Sequence, residues 1–292
     1  MKLIDTVQAA AARLQSAGVA FGHGTTNAFD EAAWLVLWRL GLPLDALDEF
    51  ADRRLTAAER AAVEALVEER IAKRRPAAYL TGEAWLQGVP FHVDDRVIVP
   101  RSFIAELLAE GTVDPWLDET TRDVLDLCTG NGSLAVLAAM AWPDVRVDAA
   151  DLSADALAVA RLNVERHGLA DRIRLVASDG LAALPGPYDL ILCNPPYVNA
   201  ASMTALPPEY QAEPALALAG GDDGMDFIRA LLRDAPSRLR EHGVLVLEIG
   251  NERAHFEAAF PRLEAVWLEV SAGDDQVLLL TRDALAAAAD PA

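Results

Sequence analysis

The sequence predicts an α/β protein in which a smaller helical domain and a β-hairpin linker precede a doubly wound, mostly parallel sheet. Two observations carry this expectation. From Asp123 onward, strand-like apolar runs alternate with helical stretches, and before residue 76 the apolar positions recur at helical spacing. The expected divisions are a helical substrate-recognition domain over 1–76, the hairpin linker over 77–102 and a larger domain over 103–292.

In the first domain, helices are expected over 4–16, 30–40 and 56–74. Gly41 and Pro43 stop the second, Thr56-Ala57-Ala58-Glu59 has the form of a capping box opening the third, and Pro76 closes it. Trp34, Leu35, Leu37 and Trp38 fall at helical spacing, as do Val63, Leu66, Val67 and Ile71. A bundle core is one use for them and docking of a partner protein the other. Between Tyr79 and Val99, short β-prone runs broken at Gly82, Gly88 and Pro90 predict the hairpin.

In the larger domain, strands are expected over 124–127, 145–150, 173–176, 190–193 and 244–249. Helices over 134–141 and 154–167 separate the first three, and another over 227–239 precedes the fifth. Runs over 266–270 and 276–281 are separated by too few residues for a helical crossover, so they should pair antiparallel. The count is seven strands.

Composition narrows the partners. The 25 Lys and Arg against 45 Asp and Glu give a net charge of −20, most of it after residue 110. Such a surface repels a nucleic-acid backbone and attracts a basic protein, although charge that merely keeps an alanine-rich chain soluble reads the same way. The only cysteines are Cys128 and Cys193, and no Cys/His cluster has metal-ligand spacing, so a reducing compartment and no metal site are expected. The N-terminus lacks the pattern of a signal segment, and no stretch of 18 residues is apolar without a charge, so a cytoplasmic, soluble protein is expected, with no membrane partner.

Four strand ends carry the chemistry. Asp126-Leu127-Cys128-Thr129-Gly130-Asn131-Gly132 closes the first strand, and its two glycines let backbone pass close to a ligand. The third glycine of a dinucleotide fingerprint is missing. Asp151 ends the next strand, 21 residues after Gly130, where a carboxylate can take both hydroxyls of a ribose. Asp179-Gly180 after the third strand is either a solvated turn or a contact to an adenine amino group. After the fourth strand stands Asn194-Pro195-Pro196-Tyr197. There the Asn side-chain carbonyl and the Pro195 carbonyl can accept the two hydrogens of one planar NH2 group, with Tyr197 offering a face for stacking. A nicotinamide cofactor fits the first two strand ends but gives the Asn-Pro-Pro-Tyr turn no role.

Together these segments resemble the class I S-adenosylmethionine-dependent methyltransferases, a Rossmann-like fold, and within them the amino-methylating group. Arg75-Pro76-Ala77-Ala78-Tyr79-Leu80-Thr81-Gly82, Phe91-His92-Val93-Asp94, Val99-Pro100-Arg101-Ser102, Glu213-Pro214 with Gly221-Asp222-Asp223-Gly224, and Leu247-Glu248-Ile249-Gly250 resemble the protein-(glutamine-N(5)) methyltransferases. One branch of that family acts on peptide release factors and another on large-subunit ribosomal protein 3. Pro100-Arg101-Ser102 followed by Ile104-Ala105-Glu106 is similar to the second, although a proline commonly stands where Phe103 does.

The resemblance implies S-adenosylmethionine as cofactor, with Asp126 pairing its ammonium and Thr129, Gly130 and Gly132 near its methionine part. It places Asp151 on the ribose, Asp179 on the adenine and Asn194 beside the transferred methyl. Asn194, Pro195, Pro196 and Tyr197 would hold the acceptor amide, Arg101 and Glu106 would lie near the mouth, and Glu213 on a loop covering the substrate. Cys128 and Cys193 would end neighbouring strands, as packed small side chains or as a redox pair. Ribosomal protein 3 is the implied partner, with release factors, nucleic acid and a non-catalytic scaffold as alternatives.

Overall fold

The computed structural model describes residues 1–289. Its helical part comprises α1 (Leu3–Ser16), α2 (Ala28–Arg39), α3 (Leu47–Phe50), α4 (Ala57–Lys73) and α5 (Ala77–Thr81). Leu3, Val7 and Leu14 of α1, Leu35 and Leu37 of α2 and Val63 and Val67 of α4 meet in one buried core. Trp34 and Trp38 pack half-buried against it. The capping box forms: the Glu59 N–H donates to Thr56 Oγ1 at 3.2 Å, and the Thr56 N–H donates to Glu59 Oε2 at 2.8 Å.

One helix end differs from expectation. α4 stops because Arg74 adopts φ +51, and Pro76 instead opens α5, where a residue without an N–H costs nothing. The hairpin joins β1 (Glu83–Leu86) to β2 (Val89–His92) through Gln87 and Gly88, both at positive φ, the backbone of a tight two-residue turn. Pro90 lies inside β2 and does not break it.

The main sheet has seven strands: β3 (Asp123–Leu127), β4 (Arg146–Asp151), β5 (Ile173–Ala177), β6 (Tyr188–Cys193), β7 (Leu239–Glu248), β8 (Val266–Val270) and β9 (Gly273–Thr281). Their spatial order is β5-β4-β3-β6-β7-β9-β8, parallel through β7, with β9 antiparallel to both β7 and β8. Alternate residues serve opposite faces. Val124, Leu190, Leu192, Val244 and Val246 join a core with α6 (Ile104–Glu110) and α7 (Ser133–Ala141). Leu125, Ile191, Leu245 and Leu247 join another with α11 (Asp226–Asp234), α12 (Arg253–Ala259) and α13 (Arg282–Ala289). Burial on both faces is what makes these strands continuous apolar runs, and each fully buried aliphatic contributes about 1.5–3 kcal/mol.

The remaining helices are α8 (Ala154–Arg166), α9 (Ala200–Ala205) and α10 (Pro208–Gln211). α11 ends at Asp234, earlier than its apolar spacing suggested: Pro236 cannot continue an α-helix, and Leu239 already pairs with Tyr188 as the first residue of β7. Chain order reverses between β3 and β6, so the carboxyl ends of β3, β4 and β6 surround a crevice. Among the described residues no helix is long and apolar enough to cross a membrane.

Candidate active site

A cleft opens at that crevice, with Thr129, Gly130, Asp151 and Asp179 on one wall and Asn194, Pro196 and Arg101 on the other. The turn after β3 is tightly wound, with Cys128, Gly130 and Gly132 all at positive φ. A Cβ on Gly130 would meet nothing within 4 Å, so its backbone faces open space. Gly132 serves a different end. A Cβ there would stand 3.1 Å from the Ala160 Cβ, which makes this glycine a condition for packing the turn against α8, and it does not line the cleft.

Asp126 also lies beneath the turn. Fully buried, it accepts hydrogen bonds through Oδ2 from Thr129 Oγ1 at 2.5 Å and from the Ala135 N–H at 2.9 Å, capping α7. Burial pushes its carboxyl up to about 7 against those two donors. It does not line the cleft either; its position couples the end of β3 to the helix that follows.

Asp151 does line it. Its Oδ2 accepts from the Gly130 N–H and its Oδ1 from the Ser153 N–H, each at 2.9 Å, so one carboxylate ties the β3 turn to the end of β4. Burial raises its pKa while these N–H groups lower it. Asp179 is exposed at the same wall, and Leu152, 57% exposed, forms an apolar part of the rim.

At the end of β6, Asn194 and Pro196 face the cleft and Pro195 is buried behind them. Tyr197 is turned away from it. Its hydroxyl donates to Glu248 Oε1 at 3.3 Å and its ring lies against Gly250, where a Cβ would be 2.6 Å from Cε2. The stacking face expected of Tyr197 is therefore taken up by protein, and its backbone carbonyl runs against Gly220 and Gly224. Cys193, fully buried, pairs in register with Leu127, beside the half-buried Cys128 that lines the cleft. Burial, and then the neighbouring Cys128 thiol, push the Cys193 thiol up.

Arg101 and Glu213 meet. The guanidinium donates from Nη1 to Oε1 and from Nη2 to Oε2, both at 2.7 Å, and the Val99 N–H adds a third bond to Oε1 at 2.9 Å. Burial alone would raise the Glu213 carboxyl, but the charge and hydrogen bonds of Arg101 together with His23 outweigh it and hold the group at about 2. Glu106, expected with Arg101 near the mouth, does not line the cleft and instead accepts from the N–H and hydroxyl of Ser271 at 2.8 and 2.7 Å. Its place in the first turn of α6 directs it to the β8–β9 connection.

Five residues with no role expected from the sequence complete the surroundings. Glu248, closing β7, accepts from Ser102 Oγ at 2.6 Å and the Phe103 N–H at 2.9 Å, and burial pushes it up to about 7. His23 is 1% exposed, with Nε2 3.5 Å from Glu213 and its ring 4.2 Å from that of Tyr210. Glu209 on α10 takes Arg70 at 3.1 Å and Arg74 at 3.0 Å, and Arg70 also donates to Glu31 at 2.8 Å. The sequence signal for Glu248 was an acidic residue ending an otherwise apolar strand; a lone histidine and two helix arginines give none.

A glycine turn after the first sheet strand, acidic residues at the next two strand ends and Asn-Pro-Pro-Tyr at the fourth, on this strand order, define a class I methyltransferase. Residues 105–207 match the family described as Methyltransferase small domain, and residues 5–82 match the PrmC N-terminal domain. The ribosomal protein uL3 glutamine methyltransferase of Bordetella pertussis is 57% identical over 97% of this chain and 96% of its own length. That of Burkholderia pseudomallei is 54% identical over 98% and 96%. The chain belongs to the family of ribosomal protein uL3 glutamine methyltransferases. The solved hMettl16 catalytic domain, in complex with a MAT2A 3'UTR hairpin, shares the fold alone: TM-score 0.53 and 16% identity, over 77% of this chain and 81% of that one.

Proposed function

We propose that this protein methylates the side-chain amide nitrogen of a glutamine in large-subunit ribosomal protein 3, with S-adenosylmethionine as donor. The observation that carries the reading is that Asn194 and Pro196 share one cleft with Gly130, Asp151 and Asp179. The residues fit that donor. Gly130 leaves open space beside the β3 turn, and two carboxylates stand at successive strand ends where hydroxyl and amino groups of a nucleoside would lie. When bound, it supplies an electrophilic methyl on a positively charged sulfur.

An amide nitrogen is a poor nucleophile because its lone pair is delocalised into the carbonyl. Asn194 and the Pro195 carbonyl accept its two hydrogens, aim the lone pair and favour the positive charge that grows on nitrogen. The proton leaves after transfer, so no general base is needed; among the described residues no histidine lines the cleft. Arg101 forms the wall over the substrate, and Glu213, buried behind it, holds its guanidinium in place. The helical domain over 1–76 recognises the partner, the linker over 77–102 connects it to the methyltransferase domain over 103–292, and a reducing cytoplasm suits the two free cysteines. The net charge of −20 supports a basic protein acceptor rather than nucleic acid.

The test supplies labelled S-adenosylmethionine with purified ribosomal protein 3, release factor and DNA separately. Label in ribosomal protein 3 is expected, and label in DNA alone would overturn the reading. Asn194→Ala should cut turnover by roughly 10²-fold or more, with cofactor affinity nearly intact; near-normal turnover would remove Asn194 from the mechanism.

A further inference from the structure

We propose that Glu248 is a positioning residue for methyl transfer: its carboxylate, seated between the linker and the Asn194-Pro195-Pro196-Tyr197 turn, sets where that turn stands in the cleft. The inference rests on the reading of Asn194 and Pro195 as the amide holder. Glu248 is 2% exposed at the last position of β7, and its two oxygens serve different segments. Oε2 accepts from Ser102 and Phe103, and Oε1 from the Tyr197 hydroxyl. Ser102 Oγ in turn accepts the Ile104 N–H at 3.2 Å, so the same network fixes the start of α6.

The residues that follow continue the contact. Gly250 gives the Tyr197 ring its seat, and Glu252 Oε1 accepts from Asn199 Nδ2 at 2.7 Å. Positions 248, 250 and 252 thus grip position 197, which ends the turn, and position 199 just beyond it. An apolar residue at 248 would have filled the same space against the sheet, so the cost of burying a carboxylate is offset only by what its bonds hold in place.

The groups facing the carboxylate are the hydroxyls of Ser102 and Tyr197 and the N–H groups of Phe103 and Ile104, and none of them is charged. The charged Arg101 and Glu213 act on Tyr197. Every facing group is a donor, which calls for the ionised form. A protonated carboxyl offers fewer acceptor sites and one O–H, so a donor is released, and the 3.3 Å bond to Tyr197 is the longest of the set. Burial nonetheless pushes this carboxyl up to about 7. The positioned form therefore dominates above neutrality and is lost as pH falls through that value.

Steady-state kinetics on Glu248→Gln and Tyr197→Phe test this, with S-adenosylmethionine and ribosomal protein 3. Displacing the turn by about 1 Å should lower kcat on the order of 10²-fold, with KM for both substrates changed no more than about twofold. The fall in wild-type kcat below about pH 7 should disappear in Glu248→Gln, and the double variant should be no slower than the slower single one. Calorimetric binding of S-adenosylmethionine checks folding; if Glu248→Gln fails it, Ser102→Ala and Tyr197→Phe give the same kcat readout. Wild-type kcat and an unchanged acid limb in these variants, or effects that multiply in the double variant, overturn the proposal. Should Asn194→Ala be active as well, the amide-holding reading falls with it; an inactive Asn194→Ala beside a normal Glu248→Gln sinks the positioning role alone.

Discussion

Arg101→Ala removes the partner of a carboxylate whose side chain has no exposed surface. Two bonds of 2.7 Å between unit charges about 4 Å apart are worth about 4 kcal/mol at an effective dielectric constant near 20. The linkage gives a similar size: a carboxyl held at about 2 from an ordinary 4.5 carries about 3 kcal/mol. Because the folded value is depressed, this stability is present above about pH 4.5 and is lost as pH falls toward 2. In the variant the sign reverses. Glu213 keeps only the Val99 N–H and the nearby His23, burial raises its pKa, and acidification relieves the buried charge instead of breaking a pair.

The variant should therefore lose about 3–5 kcal/mol at pH 7, or roughly 6–10 °C in Tm at about 2 °C per kcal/mol. The gap to wild type should narrow steadily as pH falls below about 5. Arg101→Ala/Glu213→Gln should recover much of the loss, since no unpaired charge remains. Thermal unfolding followed by circular dichroism at pH 7, 5 and 4 measures all three. A constant gap across that range, or a double variant no more stable than Arg101→Ala, would refute the electrostatic account.

Asp151→Ala should weaken S-adenosylmethionine by roughly 10–100-fold in calorimetry, the equivalent of losing hydrogen bonds to a charged group; unchanged affinity would place the ribose elsewhere. Glu209→Ala leaves Arg70 and Arg74 without a shared acceptor and should cost about 3 kcal/mol, and protease nicking near α10 should rise with it. If nicking stays at the wild-type rate, these arginines do not hold that segment.

The sheet was legible because each of its inner strands is covered on both faces, so that 190–193 and 244–249 stand out as apolar runs, and because 271–275 is too short for a crossover. The capping box at Thr56 and Glu59 was legible because both partners lie within one turn. Strand ends could be located too, so Asp151, Asp179 and Asn194 were named, and the structure brings them to one cleft. What could not be read was the choice of partner across the chain. Glu106 and Glu248 are both acidic residues near apolar runs, yet Glu248 reaches Ser102 across 146 positions while Glu106 reaches Ser271 across 165. Gly132 looked like a ligand contact because spacing does not distinguish a glycine that admits a cofactor from one that admits Ala160. Pro236 was a local signal that outweighed the apolar spacing around it.

The arginine cluster on α4 bears on how the chain is made. Arg70 precedes Glu209 by 139 positions, so during synthesis the helical part emerges with its future acceptor still unmade. Until then Arg70 has Glu31 and the Ala20 carbonyl, at 2.8 and 3.0 Å, which lets the bundle close around it unaided. Glu209, made later, ties the segment after Asn194-Pro195-Pro196-Tyr197 to Arg70 and Arg74. The two parts of the chain are thereby committed to each other in sequence, and a fragment beginning at residue 103 would carry Glu209 with no cation to receive it from α4.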